Sequence, residues 1–178
     1  MVEQSCLVII KPDGLVKSLT GNIIHALSET RLKIVAAKIV SVKKELAEKH
    51  YAELKANQIK KHGEEKGTKI YESTIDYILG KFHTNRVLVL VYNGEDAIEK
   101  IRTIVGKTNP EDADPVSIRG RYGRINSKTG VLENCIHASD SPENAEKEIK
   151  LWFKPEEIVV DLYPVSTVKK QIEIKEWN

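Results

Sequence analysis

Two unbroken apolar runs of strand length stand out along the chain, Cys6-Leu7-Val8-Ile9-Ile10 and Val87-Leu88-Val89-Leu90-Val91-Tyr92. Both are rich in β-branched residues and lack the alternation of a half-exposed strand, so they predict central strands covered on both faces. After the first, Thr20 is placed to N-cap a helix in which Ile23, Ile24 and Leu27 make one apolar stripe. Residues 34 to 42 read as a second strand, at a sheet edge because Lys38 interrupts the apolar pattern. A helical period then runs from Glu45 to about Asn57 through Leu46, Ala47, Tyr51 and Leu54, and another through Ala97, Ile101, Ile104 and Val105 to a stop at Gly106. The last helix starts with Ser141 as N-cap and Pro142 at its first position, and its stripe is Ala145, Ile149, Trp152 and Phe153. Cys135-Ile136, just before it, predicts a short fourth strand.

The resulting order, βαβ(α)βαβα, predicts an α+β fold: a ferredoxin-like split βαβ sandwich, a four-stranded antiparallel sheet with helices packed on a single face. No linker divides the chain, so residues 1–178 are expected to form one domain. Two stretches resist the pattern. Residues 58 to 85 mix the charged run Lys60-Lys61-His62-Gly63-Glu64-Glu65-Lys66-Gly67 with a helix-like Thr74 to Leu79, and predict a solvated surface insertion. Residues 106 to 133 show no period at all, and a loop of that length in a compact domain is usually functional or disordered.

Composition narrows the classes. Apolar residues make up 40% of the 178, enough for a sizeable core. The net charge of +2 leaves no polycationic footprint for nucleic acid, so none is expected as a partner. No apolar stretch approaches the roughly 20 residues that span a bilayer, and no membrane association is expected. Cys6 and Cys135 each sit in an apolar run and read as buried thiols of a reducing compartment, which points to the cytoplasm.

The candidate chemistry converges on phosphate. Lys11-Pro12-Asp13-Gly14 ends the first central strand, where a side chain reaches the crevice that ligands of α/β sheets use. Arg102 follows the buried Ile101, and Arg119, Arg121 and Arg124 crowd a segment punctuated by Gly120 and Gly123. Planar guanidinium groups grip phosphate oxygens in pairs. His25, His50, His62 and His83 read as structural or solvated. His137 differs, lying between a short strand and the N-terminus of a capped helix, where the helix dipole favours an anion. The chain has no CxxC, HExxH, EF-hand loop, Walker A or G-x-G-x-x-G pattern, so any metal is expected to arrive with a nucleotide and be held mainly by its phosphates.

The run Asn134-Cys135-Ile136-His137-Ala138-Ser139-Asp140-Ser141, continued by residues 143 to 153, resembles the active-site signature of nucleoside diphosphate kinases. Lys11-Pro12-Asp13-Gly14, Gly106 with Thr108-Asn109-Pro110, and Ser117-Ile118-Arg119-Gly120 resemble the family's other blocks, in order. The resemblance implies transfer of a γ-phosphate from a nucleoside triphosphate to a nucleoside diphosphate, by ping-pong kinetics with Mg2+. It implies His137 as the nucleophile, Glu148 as the partner of its second ring nitrogen and Ser139 beside them. Lys11, Arg102, Thr108 and Arg119 are implied to hold phosphates, Asn134 a ribose and phosphate contact, and Tyr51 to stand near the lysine. The family's base-stacking position falls near Ile59 in an ungapped continuation, with Tyr71 or Phe82 as alternatives inside the expanded 58–85 region. Further departures are Arg121, where the family often has an acidic residue, and a longer stretch from Tyr122 to Glu133. Residues 164–178 extend beyond the match, with Val168, Ile172, Ile174 and Trp177 available for packing. Family members build dimers into tetramers or hexamers, so a homo-oligomer, hexameric rather than tetrameric, is expected. A nucleotide-binding module without turnover, recruiting a partner through the insertion, is the alternative.

Overall fold

The computed structural model describes residues 2–169. In chain order its elements are β1 (Glu3–Ile10), α1 (Pro12–Val16), α2 (Thr20–Ser28), β2 (Lys33–Ser41), α3 (Lys44–His50), α4 (Leu54–His62), α5 (Glu64–Ile78), β3 (Arg86–Glu95), α6 (Ala97–Val105), α7 (Ile118–Tyr122), β4 (Arg124–Ile125), β5 (Leu132–Glu133), β6 (Ile136–Ala138) and α8 (Pro142–Trp152), with short 3-10 turns at Pro110–Asp112 and Pro155–Glu157. The main sheet has the order β2-β3-β1-β6 with every pairing antiparallel, the split βαβ arrangement that the element order predicts.

The two apolar runs are the two central strands, β1 and β3, and they are apolar throughout because both faces are covered. Cys6, Val8 and Ile10 pack with Ile23, Leu27, Ile98 and Ile101 on one face, while Leu7 and Ile9 pack with Ala47, Ile75, Ile149 and Trp152 on the other. This corrects the expectation of helices on a single face. Successive residues of a strand point to opposite sides, so a run with no polar alternation needs cover on both.

Other boundaries also shift. Thr20 is the first residue of α2 and not its cap; Leu19 holds that place without a side-chain hydrogen bond, entered through Ser18 at φ 57°. The helix expected from 45 to 57 breaks at Tyr51, which ends α3 at φ −101° before α4 begins. Ser141 caps α8 as predicted, accepting the Asn144 N–H at 3.1 Å.

Residues 58–85 are not a solvated loop. They fold into most of α4 and all of α5, joined at Gly63 with φ 82°. The two helices cross so closely at Gly67 that a Cβ there would collide with the Ile59 backbone. Further along α5, Ile75 and Ile78 enter the core. Residues 106–133 likewise carry structure: the 3-10 turn at Pro110–Asp112, α7 capped by Ser117, and a β4–β5 hairpin. Of the tail, Val168 is exposed, and Ile172, Ile174 and Trp177 lie outside the described residues. No helix among the described residues is long and apolar enough to cross a membrane.

Candidate active site

His137 lies on β6 opposite Ile9 of β1, so the most buried strand of the sheet sets its backbone position. Its Nε2 is 2.9 Å from Oε1 of Glu148, one turn before the end of α8. Ser139 donates its hydroxyl to the other carboxylate oxygen at 2.6 Å and accepts the Leu7 N–H at 3.1 Å. Burial alone would raise the Glu148 carboxyl, but the hydrogen bonds from His137 and Ser139 outweigh it and leave it below its usual range. An ionised Glu148 only accepts, so Nε2 carries the proton and Nδ1 keeps a free lone pair.

His50 completes this centre and was not expected there. Its ring stands edge-on to that of His137, with centroids 4.6 Å apart, and its Nδ1 accepts the Trp152 indole N–H at 3.2 Å. Burial, then the neighbouring His137, pushes its pKa down to about 3, so it stays neutral beside the nucleophile candidate. Nothing in the local pattern of α3 marks His50; only tertiary packing against α8 does.

Around the imidazole the loops are tied into one network. Lys11 donates to Asn134 Oδ1 at 2.8 Å, and Asn134 donates to the Thr108 carbonyl at 2.8 Å. Arg119 bonds the Ile136 carbonyl through Nη2 at 2.9 Å and Nε at 3.3 Å, and the Gly106 carbonyl through Nη1 at 3.0 Å. Burial, and then the mutual repulsion of nearby cations, pushes Lys11 down to about 8 and Arg119 down to about 10. Asp13, wholly buried, accepts the Tyr77 hydroxyl and the Cys135 N–H, the latter from a residue held at φ 64°. Tyr77 thereby fastens α5 to the loop that carries Lys11.

These groups border a cleft of about 640 Å³. Lys11, Tyr51, Arg102, Thr108, Arg119, Asn134 and His137 all line it, while Ser139 and Glu148 stand behind the imidazole. Ile59 does not line it, nor do Tyr71 and Phe82; Leu54 of α4 and Ile70 of α5 do, with Val131 from the β4–β5 hairpin. Ile59 instead packs where α4 crosses α5, its backbone against Gly67. The stripe of α5 at 66, 69, 70, 73, 74 and 77 is the signal that marks Ile70. The arginine cluster also splits: Arg119 faces the cleft, whereas Arg124 pairs with Glu133 at 2.7 Å and Arg121 lies near the Tyr122 ring.

For a metal, the donor set is sparse. Among the described residues, the His/Cys/Asp/Glu group close enough to share an ion is His50, His137 and Glu148, two imidazoles and a carboxylate already committed to one of them. Hard cations prefer oxygen ligands. Asp140 is the one carboxylate lining the cleft, which fits a divalent ion brought in on phosphates better than one caged by protein.

A split βαβ sheet presenting a carboxylate-oriented imidazole to a cation-lined cleft defines an α+β protein built to handle phosphoryl groups. The family model for nucleoside diphosphate kinases matches residues 4–158. The nucleoside diphosphate kinase of Pyrococcus furiosus is 45% identical over 157 residues, 88% of this chain and 86% of the relative, and that of Archaeoglobus fulgidus is 41% identical over 156, covering 88% and 90%. Among solved structures, an NDP kinase from Pyrobaculum aerophilum superposes with a TM-score of 0.77 at 31% identity, covering 89% of this chain and all of that one. A transition-state mimic of the Borrelia burgdorferi enzyme with bound vanadate and ADP superposes at 0.76 with 34% identity, covering 92% and 94%. The chain belongs to the nucleoside diphosphate kinase family.

Proposed function

We propose that this kinase moves the γ-phosphate of a nucleoside triphosphate to a nucleoside diphosphate in two half-reactions through Nδ1 of His137. In the first, the Nδ1 lone pair forms a bond to the γ-phosphorus as the bond to the β,γ-bridging oxygen breaks, and a diphosphate leaves. In the second, a terminal oxygen of the incoming diphosphate attacks the same phosphorus and the N–P bond breaks. Glu148 keeps the Nε2 proton throughout and balances the charge that grows on the ring, while Ser139 fixes the carboxylate. Lys11, Arg102, Thr108 and Arg119 supply donors to the phosphate oxygens, and Asn134 orients Lys11 and meets the ribose. Tyr51, kept neutral as burial and then Glu148 raise its hydroxyl, is a further donor beside Lys11. Leu54, Ile70 and Val131 offer the apolar walls for a base.

A divalent cation, Mg2+ in this reading, would be held by the nucleotide's phosphates with Asp140 alongside, and when bound it supplies charge neutralisation on the transferring group. A homo-oligomer, hexameric rather than tetrameric, and a cytoplasmic location complete the proposal. Light scattering of the purified protein checks the first.

The observation that supports this reading is the 2.9 Å contact of His137 Nε2 with Glu148, which leaves Nδ1 on the cleft side chain as the free nitrogen. Incubation with γ-labelled ATP and Mg2+ is expected to leave acid-labile, alkali-stable label on the protein. The His137→Ala variant should take up none while melting at the same temperature. Equal labelling of that variant contradicts the assignment, and absence of label on the parent chain favours a binding module.

A further inference from the structure

One face of α5 looks into the cleft along the whole helix: Lys66, Lys69, Ile70, Ser73, Thr74 and Tyr77. Tyr77, at the inner end, is buried and bonded to Asp13. Lys66 lies eleven residues earlier, a helical rise of about 16 Å from that end, and both it and Lys69 are exposed. Lys81, just beyond α5, pairs with Asp76 at 2.7 Å, but neither Lys66 nor Lys69 has an ion-pair partner among the described residues. The acidic residues of the first turn, Glu64 and Glu65, fall off the cleft face.

The charge around the cleft is one-sided. Lys11, Lys66, Lys69, Arg102 and Arg119 line it against Asp140 alone, although the whole chain carries only +2. A concave surface of one sign, with low-dielectric walls, focuses potential outward and accelerates arrival of the opposite charge. Lys11 and Arg119 are buried and already hydrogen-bonded, an arrangement suited to gripping what has arrived. Lys66 and Lys69 are compact charges on free, flexible stems, suited to attraction at a distance and not to bidentate grip.

We propose that Lys66 and Lys69 are a capture pair, which speeds entry of the polyanionic chain of a nucleoside di- or triphosphate and takes no part in the chemical step. The proposal rests on the reading of this cleft as the nucleotide site and adds a role for the outer half of α5. Charges on the rim of a binding surface act mainly on association rate and its salt dependence.

Stopped-flow association of a fluorescent ADP analogue tests it, with salt varied between about 20 mM and 0.5 M, a range that shrinks the screening length severalfold. In the K66Q/K69Q protein, association at the lowest salt should be slower by about 3- to 10-fold, a modest share of the steering effects known for charged clefts. The difference should vanish at the highest salt, kcat at saturating nucleotide should be unchanged, and K66R/K69R should behave as the parent. An association rate and salt slope equal to the parent's overturn the proposal. So does a loss in kcat that persists at every salt concentration, because that marks a structural role. Association is read without phosphate transfer, so failure of labelling at His137 speaks against the chemical reading and leaves this measurement able to decide the capture pair.

Discussion

Lys11, Asn134 and Arg119, at the floor of the cleft, and Glu148 behind its imidazole are each hydrogen-bonded to a different segment of the chain, whereas Lys66 and Lys69, at its mouth, stand on one helix with no such ties among the described residues. The floor hangs on β1 and β6, whose register is set by an apolar core on both faces. The mouth is built from α4, α5 and the β4–β5 hairpin. Chemistry that needs an imidazole and phosphate donors held within tenths of an ångström sits on the rigid part. Entry and base contact, which tolerate looser geometry, fall to these outer elements.

Substitutions on the floor should therefore act on kcat, and those at the mouth on KM. The largest effect in this contrast is expected from Arg119→Gln, which removes a charged donor to the transferring group; a loss of about 10²- to 10³-fold in kcat is the scale of comparable donor deletions. A loss confined to KM, read from steady-state kinetics, would blur the contrast. Glu148→Gln keeps the shape but removes the charge that stabilises the proton on Nε2, and a drop of about 10- to 100-fold in kcat is expected, the scale of losing the carboxylate that orients a functional histidine. Because the folded Glu148 carboxyl lies below its ordinary value, its pairing contributes stability above about pH 4.3 that is lost as pH falls through the folded value. Acid unfolding of the Gln variant should show a shallower dependence there.

Lys11 offers the next test. Its folded value of about 8 lies below the ordinary lysine value, so free enzyme loses this cation as pH rises through about 8. A descending alkaline limb in kcat/KM is the expected outcome, and Lys11→Arg, charged throughout, should lack it. In the same window the unfolded chain binds the extra proton, so folding stability should rise with pH and not fall. The smallest effect belongs to the mouth: Ile70→Ala should raise KM by about 10-fold, the low end for a missing apolar contact in a pocket, with kcat kept. Ile59→Ala should leave both constants alone; the reverse pattern would return the base contact to Ile59.

How much of this was legible depended on where the information lay. Lys11 follows a strand whose apolar run is continuous, His137 follows the apolar pair Cys135-Ile136, and Ser141 with Pro142 marks the following helix, so the floor could be read locally. The same apolar continuity already required helices on both faces. His50 could not be read, because its significance lies in contacts with Trp152 and His137, far along the chain. Ile70 was obscured by the charged run before it, which hides a helical stripe inside what looks like solvent-facing sequence. Arg119, Arg121 and Arg124 were indistinguishable by type, and only the capped turn of α7 aims the first alone at the cleft.

Which ring nitrogen of His137 is free decides where phosphorus is bonded. NMR of the protein phosphorylated by ATP distinguishes the two phosphohistidine isomers. Phosphorus on Nδ1, with Nε2 still protonated against Glu148, is the predicted result; phosphorus on Nε2 would contradict it.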